Sequence, residues 1–268
     1  MKQYRRALTI AGSDPSGGAG IQADLKTFAA CGCFGMSAIV AVVDENTVGV
    51  TGVHPVPVDF VTGQIRSVLD DIGADAVKIG MLHSSELIKA VRDTLLKYNL
   101  KNIVLDPVMV ATSGDRLLRD GAIETLKNEL APFARVITPN LPEAEMLLGR
   151  KIGGQRDFPL VIRELSANRR VSVLLKAGHL KEEMLTDVFY NAETDEIIEL
   201  TSHRINTGNT HGTGCTLSSA IAAFLAHDLP LNDAVRRAKD YIASAIAAGA
   251  RYKIGKGHGP VHHFFNFW

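Results

Sequence analysis

Short, uninterrupted apolar runs alternate with longer segments of helical periodicity along almost the whole chain, and this alternation limits the fold more than any other feature. The runs lie at residues 8–11, 38–43, 76–79, 103–105, 136–138 and 171–175. A strand with one face in water alternates apolar with polar side chains, so a strand that is apolar throughout is covered on both faces. Residues 21–30, 60–72, 85–98, 121–129, 142–148 and 159–167 carry the helical patterns. A βαβα order of this kind predicts an α/β fold, a mostly parallel central sheet with helices on both faces.

Two stretches break the alternation. Residues 48–58 are too broken by Pro and Gly for a helix and are expected to form a small flap or edge strand. Residues 185–190 and 196–200 flank a polar turn at 191–195 and predict an antiparallel hairpin at the sheet edge. Two helices then close the chain. One carries Leu217, Ile221, Phe224 and Leu225 on a single face, the other Leu231, Val235, Ile242 and Ile246. No internal repeat or Pro/Ser-rich linker divides the sequence, so residues 1–268 are expected to form one domain.

A chain of 268 residues buries roughly three quarters of its unfolded surface and needs no disulfide staples. Its three cysteines, Cys31, Cys33 and Cys215, suit a reducing compartment. The 29 Lys and Arg balance 29 Asp and Glu, and a net charge of zero argues against nucleic acid as a partner. No run approaches the roughly 18 apolar residues that span a membrane. Residues 1–6 lead into a strand-like segment rather than the apolar core of a signal peptide, so the expected location is the cytoplasm.

Ligands of such sheets bind outside the carboxyl ends of the strands, and the unusual residues fall in the loops that follow strands. Gly18-Ala19-Gly20-Ile21-Gln22-Ala23, with Asp44 beyond, imitates the glycine fingerprint of dinucleotide-binding folds, which would make the chain an NAD(P)-dependent oxidoreductase. The first glycine of that fingerprint belongs in the turn directly after the strand, whereas here the strand ends at Ala11. A stronger signal is Asn209-Thr210-His211-Gly212-Thr213-Gly214-Cys215-Thr216-Leu217, a glycine-punctuated loop that opens into an amphipathic helix. Gly212 and Gly214 leave room for backbone N–H groups to converge on an anion, and the helix adds about half a positive charge. That arrangement suits a phosphoryl group in transfer, whose charge lies on its oxygens. The alternative is an ordinary helix cap made by Thr210 or Thr213. No Walker A pattern occurs. Cys215 falls in the first helical turn, where the dipole is expected to lower a thiol's pKa; the alternative is a small packing residue. Cys31 and Cys33 flank Gly32 without a nearby His and are read as packing residues.

The segment from Ala7 through Gly12-Ser13-Asp14-Pro15-Ser16-Gly17-Gly18-Ala19-Gly20 to Thr27 resembles the opening of the bacterial hydroxymethylpyrimidine/phosphomethylpyrimidine kinases of thiamine biosynthesis. So do Lys78-Ile79-Gly80-Met81-Leu82, Val104-Leu105-Asp106-Pro107-Val108-Met109, Thr138-Pro139-Asn140-Leu141-Pro142-Glu143-Ala144, the loop at 211–215 and the tail at 257–263. The resemblance runs nearly end to end. It implies a ribokinase-like fold, a homodimer with a site in each subunit, and ATP and Mg²⁺ as cofactors. It also implies the roles that follow. Gly212, Thr213 and Gly214 form the anion hole, and Cys215 stands where most ribokinase relatives hold an Asp base. Lys176, Thr210, His211 and Asn140 contact the nucleotide phosphates, and Asn140, Glu143 and Asp106 organise the metal. Glu45, in a position where many relatives carry Gln, recognises the aminopyrimidine; Gly12, Asp24, Met81 and Val108 line the same pocket. The residues alone leave other readings open: a capping pair for Asn140 and Glu143, a surface salt bridge for Lys176, loop support for Asp106, and a dipole contact for Asp24.

The implied reaction has two steps. The hydroxymethyl oxygen of 4-amino-5-hydroxymethyl-2-methylpyrimidine attacks ATP, and the resulting monophosphate attacks a second ATP to give the diphosphate. A hydroxyl must lose its proton during attack and a phosphate need not, so Cys215 is expected to matter as a base mainly in the first step. The alternatives are a pyridoxine/pyridoxal kinase and, more distantly, the oxidoreductase.

Overall fold

Strand β1 (Arg5–Ala11) ends in five consecutive buried residues, as a strand covered on both faces must. A glycine-rich loop leads to α1 (Gly20–Ala30), which returns the chain to β2 (Cys33–Ile39), parallel to β1. The chain then leaves the main sheet: β3 (Ala41–Glu45) and β4 (Val50–Pro55) form a separate antiparallel pair. The flap expected at 48–58 is therefore present, but its other half lies inside the run at 38–43 that reads as one buried strand. Val40 ends the match to the main sheet by donating its N–H to Ala11 O, and Val42 beyond it is exposed. An all-apolar composition conceals a strand that keeps one face in water. The computed structural model describes residues 2–109, 118, 121–167, 170–178, 180 and 182–268; His179 of the loop after residue 175 lies outside the described residues.

Next come α2 (Val58–Asp71), β5 (Ala76–Ile79), α3 (Ser85–Leu95), which the Ser84 side chain caps by accepting from Leu87 N, and β6 (Ile103–Leu105). The helix expected at 121–129 is α4 (Ala122–Thr125) followed by a π turn at Leu126–Leu130 and a 3₁₀ turn at Ala131–Phe133. Pro132 explains the departure, since it has no N–H to continue an α-helical ladder. The chain continues through β7 (Val136–Ile137), α5 (Leu141–Leu148), α6 (Phe158–Leu165) and β8 (Ser172–Leu175). The expected edge hairpin follows as β9 (Met184–Asn191) and β10 (Glu196–His203), then α7 (Thr213–Ala226) and α8 (Leu231–Gly249).

The eight-stranded sheet has the order β10-β9-β8-β7-β6-β5-β1-β2, parallel except where β9 joins β8 and β10. Alternate side chains feed two cores. Leu8, Ile10, Val77, Ile79, Leu105, Ile137, Val173 and Leu175 pack with α2 to α6. Ala7, Ala76, Val104, Val136 and Leu174 face α1, α7 and α8. Thr9 and Lys78, both fully buried, are among the polar residues that interrupt the second face. Chain order reverses between β1 and β5, so the crevice at their carboxyl ends is the place where this sheet type leaves room for a ligand.

Candidate active site at the carboxyl ends of the strands

Two glycine loops meet above the crevice. Gly212 takes φ +74°, and a Cβ there would drive into the Gly18 carbonyl, so only glycine permits this contact. Asp14 organises the first loop by accepting from the N–H groups of Gly18 at 3.0 Å and Ala19 at 2.7 Å. It also joins the loops, because its Oδ2 lies 2.9 Å from His211 Nε2. The tail docks on the same place: His211 N donates to Gly259 O at 3.0 Å, and His258 N donates to Thr47 O of the flap at 2.7 Å.

Helix α7 begins at Gly212 with no side-chain cap. Thr213 Oγ1 donates instead to Thr210 O at 2.7 Å, so neither threonine fills the capping role the sequence left open. The positive end of α7 therefore faces the crevice. A Cβ on Gly214 would lie 3.3 Å from Lys176 Nζ, which places a lysine ammonium beside that helix end. Main-chain dipole and side-chain cation converge as an anion site requires.

Beneath it runs a buried chain of charges. Lys78 Nζ donates to both oxygens of Asp24 at 2.9 Å, and Thr9 and Ser219 hydroxyls donate to the same carboxylate at 2.6 and 2.7 Å. Asp24 is 0% exposed with its oxygens occupied, which corrects the expectation that it lines the acceptor pocket. Burial disfavours the Lys78 ammonium, yet Asp24, Cys215 and Asp106 together hold its pKa above the ordinary lysine value. Farther along, Asp106 accepts from Lys176 Nζ and Thr138 Oγ1, both at 3.0 Å, and Ser218 Oγ lies 3.3 Å away. Lys176 is thus an internal ion-pair partner and not a surface salt bridge.

Cys215 overturns one expectation outright. Burial pushes its thiol up to about 11, with Asp24 and Asp106 adding to the rise while Lys78 and the Gly20 N–H oppose it. Desolvation outweighs the helix dipole, so the side chain is a neutral thiol near pH 7. Cys31 and Cys33 are also pushed up, to about 12, as expected of packing residues.

Asn140 and Glu143 form a reciprocal capping box on α5: Asn140 Oδ1 accepts from Glu143 N at 2.9 Å, and Glu143 Oε2 accepts from Asn140 N at 2.7 Å. The capping alternative is therefore real, and it spends the Asn140 side-chain oxygen. Glu143 remains in the charge chain, its carboxyl raised to about 7 by burial and by Asp106 against the pull of Lys176. On the opposite side of the crevice Gly12 lies against Met81 and Val43, with a built Cβ only 3.0 Å from Met81 Cε. Glu45 ends β3 with its Oε1 3.9 Å from His211 Nε2. Val108 is half-buried after β6. Sequence reasoning missed Asp14 and Lys78. Asp14 was legible as an Asp opening a glycine turn; a lysine inside an apolar run was the visible sign of Lys78.

The dinucleotide reading fails on placement. Gly18 packs against His211 of the loop before α7, Gly20 turns back onto the Gly12 carbonyl, and Asp44 sits on the flap, outside the main sheet. The family model described as "Phosphomethylpyrimidine kinase" matches residues 14–262. A hydroxymethylpyrimidine/phosphomethylpyrimidine kinase of Rhizobium meliloti is 51% identical, with 98% of each chain covered. Among solved structures, the pyridoxal kinase of Bacillus subtilis in complex with ADP superposes with a TM-score of 0.88 at 39% identity, covering 97% of this chain and 98% of that one. Phosphomethylpyrimidine kinase from Clostridium difficile gives 0.77 at 44% identity, covering 90% and 99%. The architecture is the ribokinase-like fold expected from the resemblance. With a family match that spans both glycine loops, the capping box and Lys176, the chain belongs to the phosphomethylpyrimidine kinase family.

Proposed function

We propose that this chain transfers the γ-phosphoryl group of ATP first to the hydroxymethyl oxygen of 4-amino-5-hydroxymethyl-2-methylpyrimidine and then to the resulting monophosphate, for thiamine diphosphate biosynthesis. The observation that carries the reading is the uncapped start of α7 facing Lys176. Gly212, Thr213 and Gly214 present main-chain N–H groups to the phosphoryl oxygens as their charge grows, and Lys176 adds a cation on the other side. Thr210 and His211 hold the loop in that position. Glu45 accepts from the amino group of the pyrimidine while Gly12, Met81 and Val108 shape the space for its ring.

Asp106 and Glu143 fit a magnesium ion held mainly by nucleotide phosphates and water. Both are buried acids near Lys176, and burial followed by the Asp106 carboxylate raises the Glu143 carboxyl, a setting in which a divalent cation would be favoured. Bound there, Mg²⁺ neutralises charge on the phosphate oxygens. Asn140 supports the pair through its cap. One sheet joins every described strand outside the flap, which supports a single kinase domain over residues 1–268. Val42 and Val53 on the flap and Phe60 on α2 leave apolar surface exposed, which supports a homodimer. No described helix is long and apolar enough to cross a membrane, and with three free cysteines the cytoplasm is the fitting location.

Mass spectrometry of products from the pyrimidine alcohol, ATP and Mg²⁺ tests the reading: mono- and diphosphate are both expected, and no pyrimidine phosphate at all defeats it. The pyridoxal kinase reading keeps its place because a solved pyridoxal kinase superposes so closely. Glu45 separates the two. Glu45→Gln is expected to raise KM for the pyrimidine about tenfold, the usual cost of weakening a charge-assisted hydrogen bond, and to leave pyridoxine turnover unchanged or improved. Parallel changes on both acceptors would assign Glu45 to the scaffold.

A further inference from the structure

We infer that Asp14 and His211 act as a positioning pair, holding a positive charge against Glu45 so that the acceptor pocket favours ring substituents that donate hydrogen bonds. The inference rests on the proposed pyrimidine reading and assigns the origin of its selectivity.

The geometry comes first. Ligand atoms of Asp14, Glu45 and His211 all lie within 4.8 Å of one another, on three segments far apart in sequence. Asp14 Oδ2 sits 2.9 Å from His211 Nε2, and Glu45 Oε1 sits 3.9 Å from the same nitrogen. The Asp14 and His211 side chains are 1% and 5% exposed, whereas Glu45 keeps 15% at the crevice. Asp14 is fixed by the Ser16, Gly18 and Ala19 N–H groups and by the Ser16 hydroxyl, so it cannot swing away from the ring. The imidazole is wedged against Gly18, where any side chain would overlap Cδ2, and its main-chain N–H is tied to Gly259.

Charge follows from that setting. The charged groups facing the ring are Asp14 from the loop after β1 and Glu45 from the end of β3. The turn before α1 contributes Gly18 and the tail contributes Pro260, neither of them titratable. Burial opposes the imidazolium, but the Asp14 bond and the two carboxylates more than offset it and raise the His211 pKa above its ordinary value. The cation in turn holds the Glu45 carboxylate in place across 3.9 Å. An ionised carboxylate can only accept, so it pairs with an exocyclic amino N–H and repels a ring oxygen that also accepts. Asp14 and His211 touch no reacting atom. Their effect is transmitted through Glu45 and should appear in acceptor KM.

The sign of the pH effect follows. A raised His211 pKa means the cation is present below that pKa and is lost as pH rises through it. Removing Asp14 lowers the pKa and moves the loss to lower pH. The test measures kcat and KM for the pyrimidine alcohol from pH 5.5 to 9 at saturating ATP in the wild-type chain, Asp14→Asn and His211→Gln. Dividing each variant's kcat/KM by the wild-type value cancels ionisations common to both, that of Cys215 included. For Asp14→Asn the ratio is expected near one at pH 5.5, falling to about a tenth around pH 8 as the imidazole pKa drops by roughly one unit, through KM with kcat little changed. For His211→Gln the ratio is expected lowest at acid pH and to rise about tenfold as the wild-type imidazole becomes neutral, on top of any loss that does not vary with pH. A ratio constant with pH, or a loss confined to kcat, means a merely structural pair and overturns the inference.

NMR titration of the His211 ring in the apo protein gives a readout independent of turnover. A pKa above 6.5 that falls in Asp14→Asn supports the pair even if no pyrimidine phosphate is ever made, in which case the proposed function fails alone. An ordinary or lowered His211 pKa overturns the pair and leaves the kinase reading intact.

Discussion

Lys78→Met is expected to lower the free energy of unfolding by about 3–5 kcal/mol, the usual cost of removing one partner from a buried ion pair. Lys78 and Asp24 are both 0% exposed, between the sheet and the layer of α1 and α7. Removing the ammonium leaves the Asp24 carboxylate in a dry interior with only the Thr9 and Ser219 hydroxyls as donors. Methionine fills nearly the same volume, so little of the loss comes from a cavity. In a chain of this size each kcal/mol moves the melting temperature by roughly 2–4 °C, so a fall of about 10 °C is expected. Charge and packing are separated by the double variant. Adding Asp24→Asn to Lys78→Met removes the stranded charge and is expected to recover half or more of the loss; the amide oxygen still accepts from one hydroxyl while its NH2 donates to the other. Chemical denaturation of the three proteins decides the matter. If Lys78→Met costs less than about 1 kcal/mol, or if Asp24→Asn deepens the loss, the ion pair is not what holds these layers together.

The same pair shows what the sequence could and could not convey. The sheet and its helices were legible because burial on two faces leaves a continuous apolar signature, and the strands β5, β6 and β8 fall where those runs lie. The flap was half legible. Residues 48–58 announced themselves through Pro and Gly, but β3 shares its apolar letters with a buried strand, and composition carries no record of which face meets water. In the site, the anion loop was legible because glycine spacing before a helix has a direct main-chain meaning. The charge chain was not, because Asp24, Lys78 and Asp106 meet only after α1, β5 and β6 are packed together. Cys215 failed for the same reason. A dipole argument needs only the local sequence, whereas desolvation depends on everything folded over the thiol, and here desolvation is the larger effect.

That result sharpens what Cys215 can do, and Cys215→Ala is expected to divide the two phosphorylations. With its thiol near 11, only roughly one molecule in several thousand carries the thiolate at pH 7.5. Proton removal from the alcohol by that thiolate makes kcat for the first step climb about tenfold per pH unit between pH 6 and 9, since the base is scarce and each unit multiplies it by ten. The second step starts from a phosphate that is already an anion and is expected to lack this climb above pH 7. Cys215→Ala should therefore lower kcat on the alcohol by about 10²–10³ and abolish its climb, while costing the monophosphate less than about tenfold. Single-turnover rates on both acceptors check this, with kcat read apart from KM because the Asp14–His211 pair acts on KM. Lys78 links this result to the stability experiment: its ammonium favours the thiolate, so Lys78→Met, assayed below its own melting temperature, should slow the alcohol step and spare the phosphate step. Equal fractional losses on the two acceptors in Cys215→Ala, or a flat pH profile for the alcohol in the wild-type chain, would show that the thiol only packs the first turn of α7 and that the hydroxyl proton leaves by another route.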